Sequence, residues 1–385
     1  MKIAALRERI DGERRVAVTP ESAKQLVSSG LEVVVESGAG QLAGYPDEAY
    51  EAAGATVSKK VDAAKVDLLA HVRPLPVDLI RALRPGTITV GLASAASELP
   101  AVRALRDART TSFALELVPR LSRAQSMDAL TSQSLVTGYR CVMEASIRFP
   151  RFFPLYMTAA GTIPPARVLV LGAGVAGLQA IATAKRLGAK VSAYDVRAAS
   201  ADEVTSMGGT FITLDLEAAD AAGGYAKELA EDRAARQREL LTPYIHDADV
   251  IITTALIPGR PAPQLVTTAM LAGMRPGSVV VDLAAESGGN VEGSVPGVDV
   301  GVPVVGGVVT IVGLKDAAST MAFDASRLYA KNVANLVALM TAEGVVTPDF
   351  GDEIVAGACL THDGVVRHEQ TATALDALDK KKDGH

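Results

Sequence analysis

Cysteine is almost absent from this chain: Cys141 and Cys359 are the two in 385 residues, far apart in sequence. Their scarcity excludes a disulfide framework and a cysteine-rich metal site, and it fits a reducing compartment. Histidine is nearly as rare. His246, His362, His368 and His385 have neither metal-ligand nor triad spacing, so each reads as a satisfied surface or core residue. Aromatic residues make up 4% of the chain and tryptophan is missing, a composition that permits a homodimer without indicating one. Basic stripes are lacking too. The formal charge is -6, and the one lysine run, at 380–382, reads as a solvated tail, so no nucleic-acid surface is expected. No apolar run is long enough to span a membrane. The best candidate, 300–314, is valine-rich and broken by Pro303, Gly306 and Gly307, which makes it strand, turn, strand. Lys2, Arg7, Glu8 and Arg9 interrupt residues 1–10, so no signal peptide is expected.

Hydrophobic residues, at 49%, supply material for two cores. The most informative stretch is 167–197, RVLVLGAGVAGLQAIATAKRLGAKVSAYDVR. An apolar strand at 168–171 ends in Gly172, Gly174 and Gly177, spaced G-x-G-x-x-G. A helix at 178–187 follows, stopped by Gly188, and a second strand at 191–194 is closed by Asp195. The three glycines serve separate physical ends, namely a tight turn, close approach of the backbone to a pyrophosphate, and close packing of helix on strand. The anion belongs at the helix N-terminus, among the free N–H groups of residues such as Val175 and Ala176. Asp195 is placed to accept hydrogen bonds from a ribose diol. A glycine turn in some unrelated α/β protein would not also have strand, helix, second strand and acid in register, so the stretch predicts dinucleotide binding.

The first 115 or so residues repeat the same alternation without that fingerprint. Strands are expected at 2–6, 31–36, 66–72, 87–92 and 111–115, with a helix at 20–29 ended by Gly30. Residues 131–149 predict a long helix stopped by Pro150. Further strands at 211–214, 250–254, 278–283 and 308–312 would complete a Rossmann-like sheet. Residues 325–340 read as another long helix, and 353–367 as a β-hairpin turning at Asp363-Gly364. The expected fold is α/β: two Rossmann-like or flavodoxin-like domains with a cleft between them, the second a doubly wound parallel sheet binding NAD. The N-terminal domain is placed at 1–127 and completed by 319–385, and the nucleotide domain at 128–318. The segment from Asp215 to Asp232, around Gly223-Gly224-Tyr225, is a long loop whose aromatic residue suits a moving lid, with a plain surface loop as the alternative.

Polar groups crowd the stretch 119–134, PRLSRAQSMDALTSQS. Arg120, Gln125, Asp128 and Thr131 have the chemistry to bond a carboxamide, a ribose or a partner, and Asp128 is suited to fix the Arg120 guanidinium. A helix N-cap with ordinary surface charges explains the same residues equally well.

The chain resembles the soluble NAD(H)-binding component, domain I or alpha subunit, of proton-translocating nicotinamide nucleotide transhydrogenase. The resemblance runs from GERRVAVTPE through SRAQSMD, the glycine unit, AGGYAKE and ITTALIPGRPAP to MRPGSVVVDLAAESGGN. It implies that Arg120, Gln125 and Asp128 form the arginine–glutamine–aspartate loop beside the nicotinamide, that Thr131 stands for the family's serine, and that Tyr225 belongs to the mobile loop. Cofactor contacts are expected at Gly172, Gly174, Val175, Ala176, Gly177, Asp195, Val196, Arg197, Tyr225, Thr254, Ala255, Leu256, Asp282 and Glu286. The resemblance further implies hydride exchange between NADH here and NADP⁺ on a separate NADP(H)-binding component. It also implies a membrane component, a homodimer, and a cytoplasmic location peripheral to the inner membrane, with no membrane span of the chain's own. Asp195 favours NAD over NADP by repelling a 2′-phosphate, and Arg197 weakens that argument.

Alanine dehydrogenases share the fold and the fingerprint. They must move a proton with the hydride, using a lysine and a histidine whose positions fall near Ala70 and Gly91 here, where neither side chain titrates. His71 is adjacent but is expected to face the other side of its strand. Hydride transfer between two nicotinamides needs only two rings held together in a dry site. Arg15, in RRVAVTP, is common to both families. Gly91-Leu92-Ala93 and Gly313-Leu314-Lys315 depart from the transhydrogenase pattern, which keeps a non-catalytic NAD-binding regulatory subunit as a third reading.

Overall fold

The computed structural model describes residues 1–215, 226–257 and 261–383; Gly223, Gly224 and Tyr225 lie outside the described residues. The chain separates into two compact units, one of Met1–Gln133 with Ala318–His385, the other of Ser134–Ala317. In the first unit the strands are β1 (Lys2–Ala5), β2 (Glu32–Glu36), β3 (Thr56–Ser58), β4 (Leu68–Ala70), β5 (Ile88–Gly91) and β6 (Thr111–Ala114). The second unit has a small hairpin, β7 (Tyr156–Thr158) and β8 (Gly161–Ile163), and then β9 (Arg167–Leu171), β10 (Lys190–Tyr194) and β11 (Thr210–Phe211). It continues with β12 (Val250–Thr253), β13 (Val279–Asp282), β14 (Asp299–Val304) and β15 (Gly307–Gly313). The chain then returns to the first unit with the hairpin β16 (Thr341–Ala342) and β17 (Val345–Val346), followed by β18 (Cys359–His362) and β19 (Val365–Val366).

The sheet of the second unit has the order β11-β10-β9-β12-β13-β15-β14. All neighbours are parallel except β14 against β15, so 300–314 is the strand, turn, strand that its valines and glycines predict. The chain steps from β9 outward through β10 to β11 and then jumps back to β12, which puts a topological switch point between β9 and β12. The pleat sends alternate residues to opposite faces, and both faces are apolar. Val168 and Val170 enter one core with Val250, Ile252, Val279 and Val281, while Leu169 and Leu171 enter a second core with Ile251 and Val280. A sheet buried on both faces is the doubly wound arrangement expected. The first unit has the same order through its parallel strands, β3-β2-β1-β4-β5-β6, extended by β18 and β19, which are antiparallel. No helix among the described residues is long and apolar enough to cross a membrane.

Two elements differ from expectation. Residues 353–367 are a helix, Glu353–Ala358, followed by the β18–β19 hairpin. The Asp352 carboxylate caps that helix by accepting from the Ile354 N–H at 2.8 Å, so the chain makes a helical turn before the alternating residues of the hairpin. The hairpin does turn at Asp363 and Gly364, whose φ values of 43° and 80° suit a tight hairpin turn. The stretch from Asp215 to Asp232 is not all loop, because the helix Ala226–Asp247 begins within it.

The long helix Ala129–Arg148 carries Gly138 against the first turn of the helix Val175–Arg186. A Cβ on Gly138 would lie 2.1 Å from the Ala176 carbonyl oxygen, so the main chains approach as only glycine allows. Gly138→Ala gains up to about 1 kcal/mol of helix propensity. It also overpacks against backbone, at a cost of about 1–3 kcal/mol. The second term wins because the obstruction is main chain. Denaturant unfolding is expected to show a lower midpoint for Gly138→Ala, and an unchanged midpoint would refute this close approach.

Candidate nucleotide-binding site

The site is built at the carboxyl end of β9. Gly172 has φ 104°, a left-handed value that a side chain disfavours, and a Cβ there would meet Thr254 Oγ1 at 2.7 Å and Ala255 N at 3.2 Å. Gly177 lies over the turn so closely that its Cβ would fall 1.9 Å from the Gly172 carbonyl oxygen. Gly174 differs from both. It is the N-cap of the helix Val175–Arg186, extended at φ −75° and ψ −172°, and a Cβ there would meet nothing within 4 Å. Open space beside an uncapped helix N-terminus is what a pyrophosphate requires. The helix starts at Val175, three residues earlier than the apolar pattern suggests, because the glycines themselves form its first turn.

Asp195 follows directly on β10 and reaches back to this turn. Its Oδ2 accepts from Ala173 N–H at 2.7 Å, and its Oδ1 accepts from Arg197 N–H at 2.9 Å and from Arg197 Nε at 3.0 Å. Burial alone would raise its pKa; the bonds from Arg197 and Ala173 outweigh that and hold the carboxyl below its ordinary range. Val196 and Arg197 are exposed beside it. Across the switch point, Thr254 Oγ1 donates to the Gly172 carbonyl at 3.1 Å, and Ala255 and Leu256 follow it, Leu256 half exposed. Gly172, Gly174, Val175, Ala176, Gly177, Asp195, Thr254 and Ala255 are thus gathered around one turn.

Asp282 is not free to join them. It is fully buried, and its carboxylate is used up by N–H groups of Ala284, Asn290 and Val291 and by the Thr253 hydroxyl, at 2.9–3.2 Å. It braces the ends of β12 and β13 and touches no open space, which corrects its expected cofactor contact. Glu286 lies exposed beyond it and accepts from the Asp316 N–H at 3.0 Å. Sequence reasoning missed Asn290, whose side chain grips the segment after β12 from beneath; a buried asparagine between glycines and valine gives no local signal.

In the first unit, residues Ser122–Met127 form a 3₁₀ turn that presents Gln125 to solvent. The turn is held from below. Arg123 makes a bidentate pair with Asp352 at 2.8 and 2.9 Å, and the Ser126 carbonyl accepts from Asn332 and Asn335 at 2.9 and 3.0 Å. Arg120 is exposed and has no ion pair among the described residues. Asp128 does not fix it. The Asp128 carboxylate instead accepts from the N–H of Thr131 at 2.9 Å and from its hydroxyl at 2.6 Å, so the cap geometry takes both side chains.

Arg15 is buried. Its guanidinium pairs with Glu13 through Nε and Nη2 at 2.8 and 2.7 Å, and donates to Gln133 through Nη1 at 2.9 Å. Burial would raise the Glu13 pKa, but the bonds and charge of Arg15 bring it down to about 2. His71 follows β4 directly, and its ring lies on the face of the sheet opposite Ala70, where it packs over Gly91. A Cβ on Gly91 would lie 2.3 Å from the His71 carbonyl oxygen and 2.5 Å from its Nδ1. Nδ1 is bonded to the Arg73 carbonyl at 2.7 Å, and burial lowers the ring's pKa to about 4, so the imidazole is neutral at pH 7. The described residues hold no cluster of metal-ligating side chains.

Fold and turn together define a dinucleotide-binding α/β protein of the Rossmann kind. The chain belongs to the alanine dehydrogenase/PNT family: residues 4–137 match the model "Alanine dehydrogenase/PNT, N-terminal domain" and 141–369 the model "Alanine dehydrogenase/PNT, C-terminal domain". It is 48% identical to the first part of the NAD(P) transhydrogenase alpha subunit of Rhodospirillum rubrum, over 96% of this chain and 98% of that protein. The alanine dehydrogenase of Bacillus subtilis is 32% identical, over 76% of this chain and 72% of that protein. Among solved structures, "The crystal structure of transhydrogenase from Sinorhizobium meliloti" matches with a TM-score of 0.83 and 43% identity, covering 96% of this chain and all of that one.

Two glycines separate binding from folding. Gly174→Ala has room and an ordinary φ, so its unfolding midpoint should stay within about 1 °C of the parent, under about 1 kcal/mol for a chain of this size. Calorimetric titration should nonetheless find NADH affinity reduced tenfold or more, since the methyl fills the space a pyrophosphate needs. Gly177→Ala should instead lose stability. If Gly174→Ala bound NADH normally, the turn would not be the anion site.

Glu8 supplies a pH test in the first unit. Its carboxylate accepts from the Val72 N–H at 2.6 Å, yet burial is the larger influence and raises its pKa from an ordinary 4.5 to about 7. The folded state therefore holds this proton more tightly than the unfolded one, and ionisation removes stability as pH rises from about 4.5 to 7. Glu8→Gln keeps an acceptor for Val72 and cannot ionise. Its melting temperature relative to the parent should climb across that window and level off above it. A difference independent of pH would contradict the raised pKa.

Proposed function

We infer that this chain is the NAD(H)-binding component of a proton-translocating NAD(P) transhydrogenase, active together with partner components. The observation that carries the reading is its match along nearly the whole chain, at 48% identity, with a transhydrogenase alpha subunit, in a protein whose glycine turn leaves Gly174 open at a helix N-terminus. Bound NAD(H) supplies or accepts a hydride. The residues of this chain hold and orient: the turn at 172–177 receives the pyrophosphate, and Asp195 receives the adenosine ribose at lone pairs that the exposed Arg197 side chain can release. Arg120, Gln125 and Asp128 are proposed to work at the nicotinamide end, with Thr131 holding Asp128 in place. Tyr225 is proposed as a residue of a covering loop.

The hydride acceptor is NADP⁺ on a separate NADP(H)-binding component, and a membrane component carries the coupled proton. Association with that membrane component would keep the chain at the cytoplasmic face, and a homodimer belongs to the same proposal. Transfer from one nicotinamide to another needs no general base, and the neutral, bonded state of His71 suits that chemistry better than amino-acid oxidation.

The test mixes the protein with a transhydrogenase NADP(H)-binding domain and follows reduction of an NAD analogue by NADPH. Turnover is expected there, and none with alanine and NAD; alanine oxidation by the chain alone would overturn the assignment. Gln125→Asn sharpens it. A neutral amide at an exposed turn is suited to an interaction made only when both rings align. The NADH dissociation constant should stay within about threefold, under 1 kcal/mol, while transfer falls tenfold or more. A parallel fall in both would make Gln125 an ordinary cofactor ligand.

A further inference from the structure

We propose that Asn290 is a positioning residue that sets the segment 254–256 against the glycine turn, and so governs binding of the portion of the dinucleotide beyond its AMP half. The proposal rests on the nucleotide-binding reading of that turn. Asn290 is fully buried beyond the carboxyl end of β13, and each polar atom of its side chain is used. Its Oδ1 accepts from the Ala255 N–H at 3.0 Å, and its Nδ2 donates to the carbonyls of Ala255 at 2.9 Å and Pro263 at 2.8 Å. One amide thus holds both main-chain groups of Ala255. No other neutral side chain of that length offers a donor and an acceptor in one plane.

The grip is itself anchored. Asn290 N–H donates to the Asp282 carboxylate at 3.0 Å, and the same carboxylate accepts from the Thr253 hydroxyl at 3.0 Å, immediately before Thr254. The Asn290 carbonyl accepts from the N–H groups of Leu265 and Val266 at 2.8 and 3.0 Å. Residues 253–255 are therefore fixed by one network, and Leu256 follows directly on them. Their position matters to the turn because Thr254 Oγ1 bonds the Gly172 carbonyl and Ala255 N stands 3.2 Å from where a Gly172 Cβ would be. Asp195, which receives the adenosine ribose in this reading, belongs to the other side of β9, and its bonds go to Ala173 and Arg197. Loosening residues 254–256 should then weaken what binds across the switch point and leave the adenosine side intact.

The experiment titrates the full chain with NADH and separately with 5′-AMP, for the parent, Asn290→Ala and Asn290→Asp, with thermal melts of each. Asn290→Asp keeps the size and one acceptor but sets a carboxylate against the carbonyls of Ala255 and Pro263. Both variants are expected to bind NADH at least tenfold more weakly and 5′-AMP within twofold of the parent. Equal losses for the two ligands, or no loss for either, would overturn the proposal. So would failure of both variants to fold, which would make Asn290 a residue of the fold and not of the site. If the parent itself bound neither ligand, the nucleotide-binding reading would be what had failed.

Discussion

The tightest constraint in the second unit is the contact between Gly177 and the Gly172 carbonyl, where a single methyl would sit 1.9 Å from oxygen. It fixes how near the helix Val175–Arg186 lies to β9, and hence where the helix begins. Because the helix begins at Val175, its free N–H groups open onto the space beside Gly174. Gly138 then holds the same first turn from the long helix Ala129–Arg148, with the Ala176 carbonyl as the point of contact. Three glycines at close approach and one in open space divide the labour: the packed ones define a rigid edge, and the open one leaves room for an anion.

Around that edge the sheet is braced by carboxylates as well as by apolar packing. Asp249, nearly fully buried, accepts from the Arg167 N–H at 2.9 Å where β9 begins and pairs with Arg151 and Arg275. Asp282 does the equivalent at the carboxyl ends of β12 and β13. A buried carboxylate is costly unless its oxygens are filled, and both of these are filled by N–H, hydroxyl or guanidinium donors. Asp195 is the exception in kind. Two of its bonds come from main-chain N–H groups, while the others come from the Arg197 guanidinium, at 3.0 and 3.3 Å, whose side chain is exposed. The Arg197 guanidinium thus covers about two of the four lone-pair positions of the carboxylate from the solvent side.

What the sequence made legible is what lies within one βαβ unit. Strand, glycines, helix and acid between 167 and 197 sit close enough in the chain for period and spacing to carry the inference, and the pleat of β9, β12 and β13 follows from their unbroken apolar runs. Arrangements that depend on distant partners were not legible. The packing of His71 over Gly91 joins two strands 20 residues apart, Asn290 under Ala255 joins residues 35 apart, and the capture of Asp128 by Thr131 is a choice between two partners that spacing permits equally. The helix Glu353–Ala358 was hidden by a different cause: six residues are too few for a periodic signal, and its cap, Asp352, reads as an ordinary loop residue.

The two units also explain each other. Among their parallel strands both use the order 3-2-1-4-5-6 about a switch point, and both place an acid at the end of the second strand to accept from the N–H two residues past the first: Asp195 from Ala173 at 2.7 Å, Glu36 from Arg7 at 2.8 Å. The scaffold and its acid are therefore not what selects a nucleotide. The difference lies in the chain beyond that bond. In the second unit residues 172–174 lead straight into a helix, whereas in the first unit residues 6–19 intervene before the helix Pro20–Ser28, and that helix is capped by Thr19 and Ser22. Its N-terminus is capped from within, and in the segment before it the buried Glu13 is committed to Arg15 and Arg73. One fold thus yields an open, uncapped helix N-terminus where residues 172–174 join strand to helix, and a capped one where a longer, charged segment does.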